Sequence, residues 1–147
     1  MKYILLILSL WAWRSNGQVK ADDVTGTWLT HGDKPAKVNI FRSGDKYYGK
    51  IVWLQIPLMD GKPAVDKNNP DPSKQTQPLL GLQLLKGFHF ADDEWDDGNI
   101  YDPESGKTYK CTMSLKDPQT LKVRGYIGIS MFGRTEVWTR VTPSAGL

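Results

Sequence analysis

The sequence predicts an all-β fold, an antiparallel up-and-down barrel of about eight strands with one long loop near residues 56–78. Three observations carry this. Period-two alternation of apolar and polar residues recurs from residue 25 to residue 141, helical periodicity is nearly absent over that span, and turn residues punctuate it at short intervals. Connections this short leave no room for crossover helices, so neighbouring strands run antiparallel. A two-sheet sandwich would show the same strand count, and pairing of the first and last strands separates the two.

The segment before the first strand is different. Lys2 and the apolar run from Tyr3 to Trp13, ended by Arg14, have the layout of an export signal. The run is about half the roughly 20 apolar residues that a bilayer-spanning helix needs. The division expected is a signal peptide at 1–17, cleaved there or as late as Ala21, a single barrel domain at 22–142 and a tail at 143–147. Cys111 is the single cysteine. No lipid anchor can therefore form at the cleavage boundary, no stable membrane anchor is expected after cleavage, and a disulfide framework or thiolate metal cage is excluded.

The strands follow in order. Residues 25–30 around Trp28 form the first, Lys37–Ile40 the second and Tyr47–Leu54 the third, the last two joined as a hairpin by Ser43-Gly44-Asp45-Lys46. Residues 56–78 hold five of the nine prolines and leave the sheet, with room for one helical turn around Pro78-Leu79-Leu80. Leu84–Phe90 resumes the sheet, Asp92–Asp97 is an acidic turn around Trp95, and Gly98–Tyr101 is a short strand. After the turn Asp102–Gly106 comes the clearest strand, with Tyr109, Cys111, Met113 and Leu115 on one face and Thr108, Lys110, Thr112 and Ser114 on the other. Leu121–Ile129 and Arg134–Val141 close the set around Met131-Phe132-Gly133.

The last hairpin can be registered by matching faces. A three-residue loop pairs Ile127 with Val137 and Val123 with Val141 on an aliphatic face, and Tyr126 with Trp138 and Arg124 with Arg140 on an aromatic, basic one. A two-residue slip keeps both faces and pairs Arg124 with Trp138 and Tyr126 with Glu136. Either way Arg124, Tyr126 and Trp138 share a side and become the candidate ligand-binding residues.

Certain residues carry a family resemblance. Gly26-Thr27-Trp28 and Trp138-Thr139-Arg140 resemble the opening and closing of lipocalin-type barrels, which implies that Gly26, Trp28 and Arg140 close one end structurally. The runs Gly98–Pro103, Gly106–Tyr109, Leu121–Gly128 and Phe132–Arg140, with Asp66–Pro72 upstream, resemble the family of small exported bacterial proteins known as domain of unknown function 2147. That resemblance covers about residues 24–141. It implies a lipocalin-like barrel and a place in the bacterial envelope, periplasmic or extracellular, and brings no activity with it.

Chemistry is sparse. His31 and His89 lack ligand-spaced partners, no catalytic motif is found, and neither a metal nor a cofactor is expected. The acidic run at 92–97 fails the spacing of a calcium loop, because Trp95 occupies a ligand position. Asp66, Asn69 and Asp71 in the proline-stiffened loop are candidate contact residues for a partner or for calcium. Without residues 1–17 the chain loses Lys2 and Arg14, which takes 19 basic residues to 17 against 16 acidic ones. That balance leaves no footprint for nucleic acid. Two functions stay open: a binding module holding a small amphipathic or anionic ligand in the barrel, and a side-chain-filled module whose loop contacts an envelope protein or polymer. An enzyme ranks third.

Overall fold

The structure, a computed structural model, describes residues 17–129 and 133–143. The stretch read as an export signal (apart from Gly17), Met131 and Phe132 of the last turn, and residues 144–147 of the tail lie outside the described residues. Among those described are ten strands: β1 (Gly26–Leu29), β2 (Ala36–Ser43), β3 (Lys46–Leu54), β4 (Leu58–Met59), β5 (Lys62–Pro63), β6 (Gln83–Ala91), β7 (Glu94–Asp102), β8 (Lys107–Asp117), β9 (Thr120–Tyr126) and β10 (Gly133–Arg140). Eight of them close into a barrel in the order β1-β10-β9-β8-β7-β6-β3-β2, all antiparallel, while β4 and β5 pair as a separate hairpin. Pairing of Trp28 with Arg140 and Leu29 with Thr139 makes the closure, so the sandwich alternative falls.

Alternation sets the inner wall. In β2, Ala36, Val38 and Ile40 are buried while the alternating Lys37, Asn39 and Phe41 are half-exposed. In β8, Cys111 and Met113 are buried with Tyr109 and Leu115 beside them, the face expected from sequence.

Three expectations are corrected. The acidic turn contracts to Asp92-Asp93, both with positive φ (50° and 62°), a conformation that Asp tolerates in a two-residue hairpin. Trp95 is therefore a strand residue and fully buried. The helical turn sits at Pro72–Lys74, where the Asp71 carboxylate caps it by accepting from the Ser73 amide, and Pro78 instead bridges to Val65. The third concerns the last hairpin. β9 ends at Tyr126, which pairs with Gly133, and the register continues through Arg124↔Thr135, Val123↔Glu136 and Leu121↔Trp138. Ile127 and Ile129 stand in the connection, 67% and 56% exposed, and Val137 is 46% exposed on the outer face. The shared-face expectation therefore fails. Trp138 turns inward with Leu121, and Arg124 turns outward, donating from Nη1 to Thr135 Oγ1 at 2.9 Å. Of the aliphatic residues used to fix that register, Val123 is on the inner wall, whereas Val137 faces outward and Ile127 lies in the connection.

One end of the barrel is filled and sealed. Trp28, Ile40, Tyr47, Phe88, Trp95, Met113 and Leu121 pack together with Val24, which belongs to a short 3-10 turn at Ala21–Val24. That turn is tied down from several strands. Trp28 Nε1 donates to the Val24 carbonyl (2.9 Å), Trp95 Nε1 to the Ala21 carbonyl (3.0 Å), and the Tyr47 hydroxyl to Asp22 Oδ1 (2.6 Å). Arg140 lies over the Trp28 ring at 4.2 Å and donates to the carbonyls of Asp23, Thr25 and Pro118 at 2.6, 2.8 and 2.8 Å. Gly26, at φ 121°, has no room for a side chain, since a Cβ there would meet Arg140 Nη1 at 2.9 Å. Gly26, Trp28 and Arg140 thus meet at the β1–β10 seam.

Truncating a buried Trp to Ala costs about 3–5 kcal/mol, a large share of the stability of a domain this size. Trp28→Ala is expected to lower the unfolding free energy by that amount, read as a fall in the denaturant midpoint at an unchanged m-value. A midpoint close to the parent's would remove Trp28 from the seal.

Candidate functional site

The other end is open. The turns of the sealed end are short, whereas the connections at residues 30–35, 55–82 and 103–106, and residues 127–129 after β9, all lie at the opposite rim. Between them the barrel encloses a cavity of about 670 Å³. Its walls come from the upper parts of the strands: Ala36 and Val38 of β2, Ile51 of β3, Leu84 of β6, Ile100 of β7, Tyr109 of β8, Val123 and Gly125 of β9, and Trp138 of β10. The wall is aliphatic with aromatic patches, and the volume falls within the few-hundred to about 1,000 Å³ usual for small-molecule sites.

Glu136 interrupts this wall. It sits across from Val123 and one inward position above Trp138, so its carboxylate faces the lumen. Trp138 Nε1 donates to Glu136 Oε2 at 3.3 Å. Arg134, the next inward position toward the rim, is exposed. Sequence reasoning missed both residues, because it matched apolar faces across the hairpin. Anchoring the register on Trp138 and Leu121, and extending the period of two through 136 and 134, would have found them. Of the three residues expected to form the site, Trp138 is in the wall, Tyr126 reaches the rim, and Arg124 is on the outside.

Cys111 is buried, and its thiol is pushed up to about 12, first by burial and then by the negative charge of Glu136. A thiol so placed stays protonated and unreactive at neutral pH.

The excursion between β3 and β6 forms one side of the mouth, contributing Ile56, Met59, Ala64, Val65, Lys67 and Leu79 to the cavity. Asp66 fixes it there. Its side chain is fully buried, Oδ1 accepts from the Tyr101 hydroxyl of β7 (2.7 Å), and Oδ2 accepts from Asn69 Nδ2 (2.8 Å). Burial, aided by the Asp66 carboxylate, pushes the Tyr101 phenol up to about 12, so it remains a donor. Asn68 Nδ2 donates to the carbonyls of Pro103 and Glu104 in the β7–β8 turn at 3.3 and 2.8 Å. Gly106, at φ 70°, lets that turn come against the Asn68 carbonyl, where a Cβ would collide. Asn69 Oδ1 accepts from the Asp71 amide, and Asp71 caps the following turn. Of the polar residues expected to contact a partner or calcium, Asp66 ties the loop to β7, while Asn69 and Asp71 hydrogen-bond within the loop.

Comparison with known proteins agrees with this geometry. The family model described as an uncharacterized protein conserved in bacteria, DUF2147, matches residues 26–140. Among solved structures, protein HP1028 from the human pathogen Helicobacter pylori, described as belonging to the lipocalin family, superposes with a TM-score of 0.73 at 22% identity over 85% of each chain. At that identity the likeness is one of fold, and the fold is a lipocalin-like barrel. No curated protein matches.

Removing one partner of a buried hydrogen-bonded group leaves the others unmet, at a cost of about 1–3 kcal/mol for each. Asp66→Ala strands the Tyr101 hydroxyl and the Asn69 amide, and is expected to release the excursion. Limited trypsin digestion should then cut after Lys67 and Lys74 far faster than in the parent. Unchanged cleavage would show that Asp66 does not hold the loop.

Proposed function

The chain belongs to the DUF2147 family of uncharacterized proteins conserved in bacteria, and we propose that it is an exported binding module of the bacterial envelope that holds a small amphipathic molecule inside its barrel. The observation that carries this reading is the division of the interior. Eight-stranded barrels are just wide enough either to be filled by side chains or to hold one small ligand. Here the sealed end takes the first course, and the rim end keeps about 670 Å³ walled by Val38, Ile51, Ile100 and Val123.

Export rests on the short apolar run at Tyr3–Trp13 and the positive charge before it. The rival reading, a filled barrel acting through its long loop, is less well supported. The lumen has room, and the polar loop residues Asp66, Asn69 and Asp71 hydrogen-bond within the protein.

An uncharged fluorescent probe, N-phenyl-1-naphthylamine, tests the lumen. The parent is expected to give saturable fluorescence enhancement with one site per chain. Val38→Phe combined with Ile51→Trp places bulk in the cavity and should abolish it, while the far-UV circular dichroism keeps its β signature. Enhancement that survives the filled lumen would put the probe elsewhere and end the proposal.

A further inference from the structure

The lumen of an apolar carrier needs no charge, yet this one holds the carboxylate of Glu136, half-buried between Val123 and Trp138. One oxygen, Oε2, receives the Trp138 indole N–H at 3.3 Å, and Oε1 has no hydrogen-bond partner among the described residues. No Lys or Arg among them forms an ion pair with Glu136. The Cys111 thiol lies near enough to feel the charge, but a neutral thiol does not compensate it. A carboxylate drawn away from bulk water needs donors or a countercharge to offset its lost hydration.

The charges at the mouth do not supply one. Lys34 pairs with Glu104 across the rim at 3.8 Å, and Arg134 is exposed. Counted over the whole cavity, Asp33, Asp102, Glu104 and Glu136 face Lys34, Lys67 and Arg134, so the lining is on balance acidic. Arg124, the cation that an anionic ligand would have used, is on the outer surface.

We infer that Glu136 is the polar anchor of the lumen, and that the ligand meets it with a hydrogen-bond-donating cation, as an amphiphile with a primary ammonium group inserted head-first. An ammonium carries three donors and no acceptor, which suits the free Oε1 and leaves the indole bond to Oε2 intact. Its apolar chain then runs along Val38, Ile51 and Ile100 toward the rim. The inference rests on the lumen being the binding site and adds the charge and orientation of what it takes.

Decylamine, decanol and decanoate share one chain length and differ in head group. Calorimetric titration of the full chain at neutral pH, below the micellar range, should rank them in that order, with the amine binding about tenfold or more tighter than the alcohol. Glu136→Gln should cancel the amine's advantage and leave decanol unchanged, with melting temperature and circular dichroism as the check on folding. Equal binding of all three, preference for decanoate, or an amine preference that persists in Glu136→Gln overturns the inference while leaving the lumen reading intact. Failure of all three to bind overturns both. If Glu136→Gln does not fold, the ranking in the parent decides alone.

Discussion

The Arg140 guanidinium is the group on which the barrel's closure turns. The β1–β10 seam is short, two residue pairs, and ladder hydrogen bonds alone would hold it weakly. Arg140 stacks on the Trp28 ring from one side of that seam and donates to three backbone carbonyls, two of them in the segment that leads into β1. The planar fork makes this possible, since it stacks and donates in several directions at once, which an ammonium cannot do. The seal at Ala21–Val24 depends on the same arrangement. With that turn in place, Trp28, Trp95 and Tyr47 each find a polar partner for an otherwise buried N–H or O–H, and the lower core packs without unmet groups.

Sealing one end frees the other. The large side chains that fill the interior cluster near the 3-10 turn, and the upper wall is built from smaller ones such as Ala36, Val38, Val123 and Gly125. The rim is then shaped by the excursion of residues 55–82, which is structured rather than loose. Asp66 is a buried charge, and it is tolerated because Tyr101 and Asn69 donate to both its oxygens. Glu136 contrasts with it: both are carboxylates in protected places, but only Asp66 is satisfied at both oxygens by the protein. That contrast is the physical basis for assigning one to the scaffold and the other to a ligand.

Much of the fold was legible in sequence because the inner wall of a barrel enforces a period of two. β8 and the β2–β3 hairpin were read correctly from alternation and a Gly-containing turn. Trp95 was misread because its acidic neighbours look like a turn, and only the positive φ of Asp92 and Asp93 shows how tight the turn is. The site was far less legible. Registering β9 on β10 by like faces assumes an apolar interior, and that assumption breaks where the interior is a cavity with a charge in it. Ile127, Ile129 and Val137 drew the pattern to the wrong face, and Glu136 was hidden by the same error. Local rules fail most readily at the positions that serve function.

The central claim is that the upper barrel is a ligand site and the lower barrel its plug. Native mass spectrometry of the protein taken directly from its own cells tests this most directly. The account predicts a species heavier than the polypeptide by the mass of one small molecule, bound one to one and lost on mild collisional activation. A spectrum showing only the bare polypeptide under conditions that preserve the fold would contradict it.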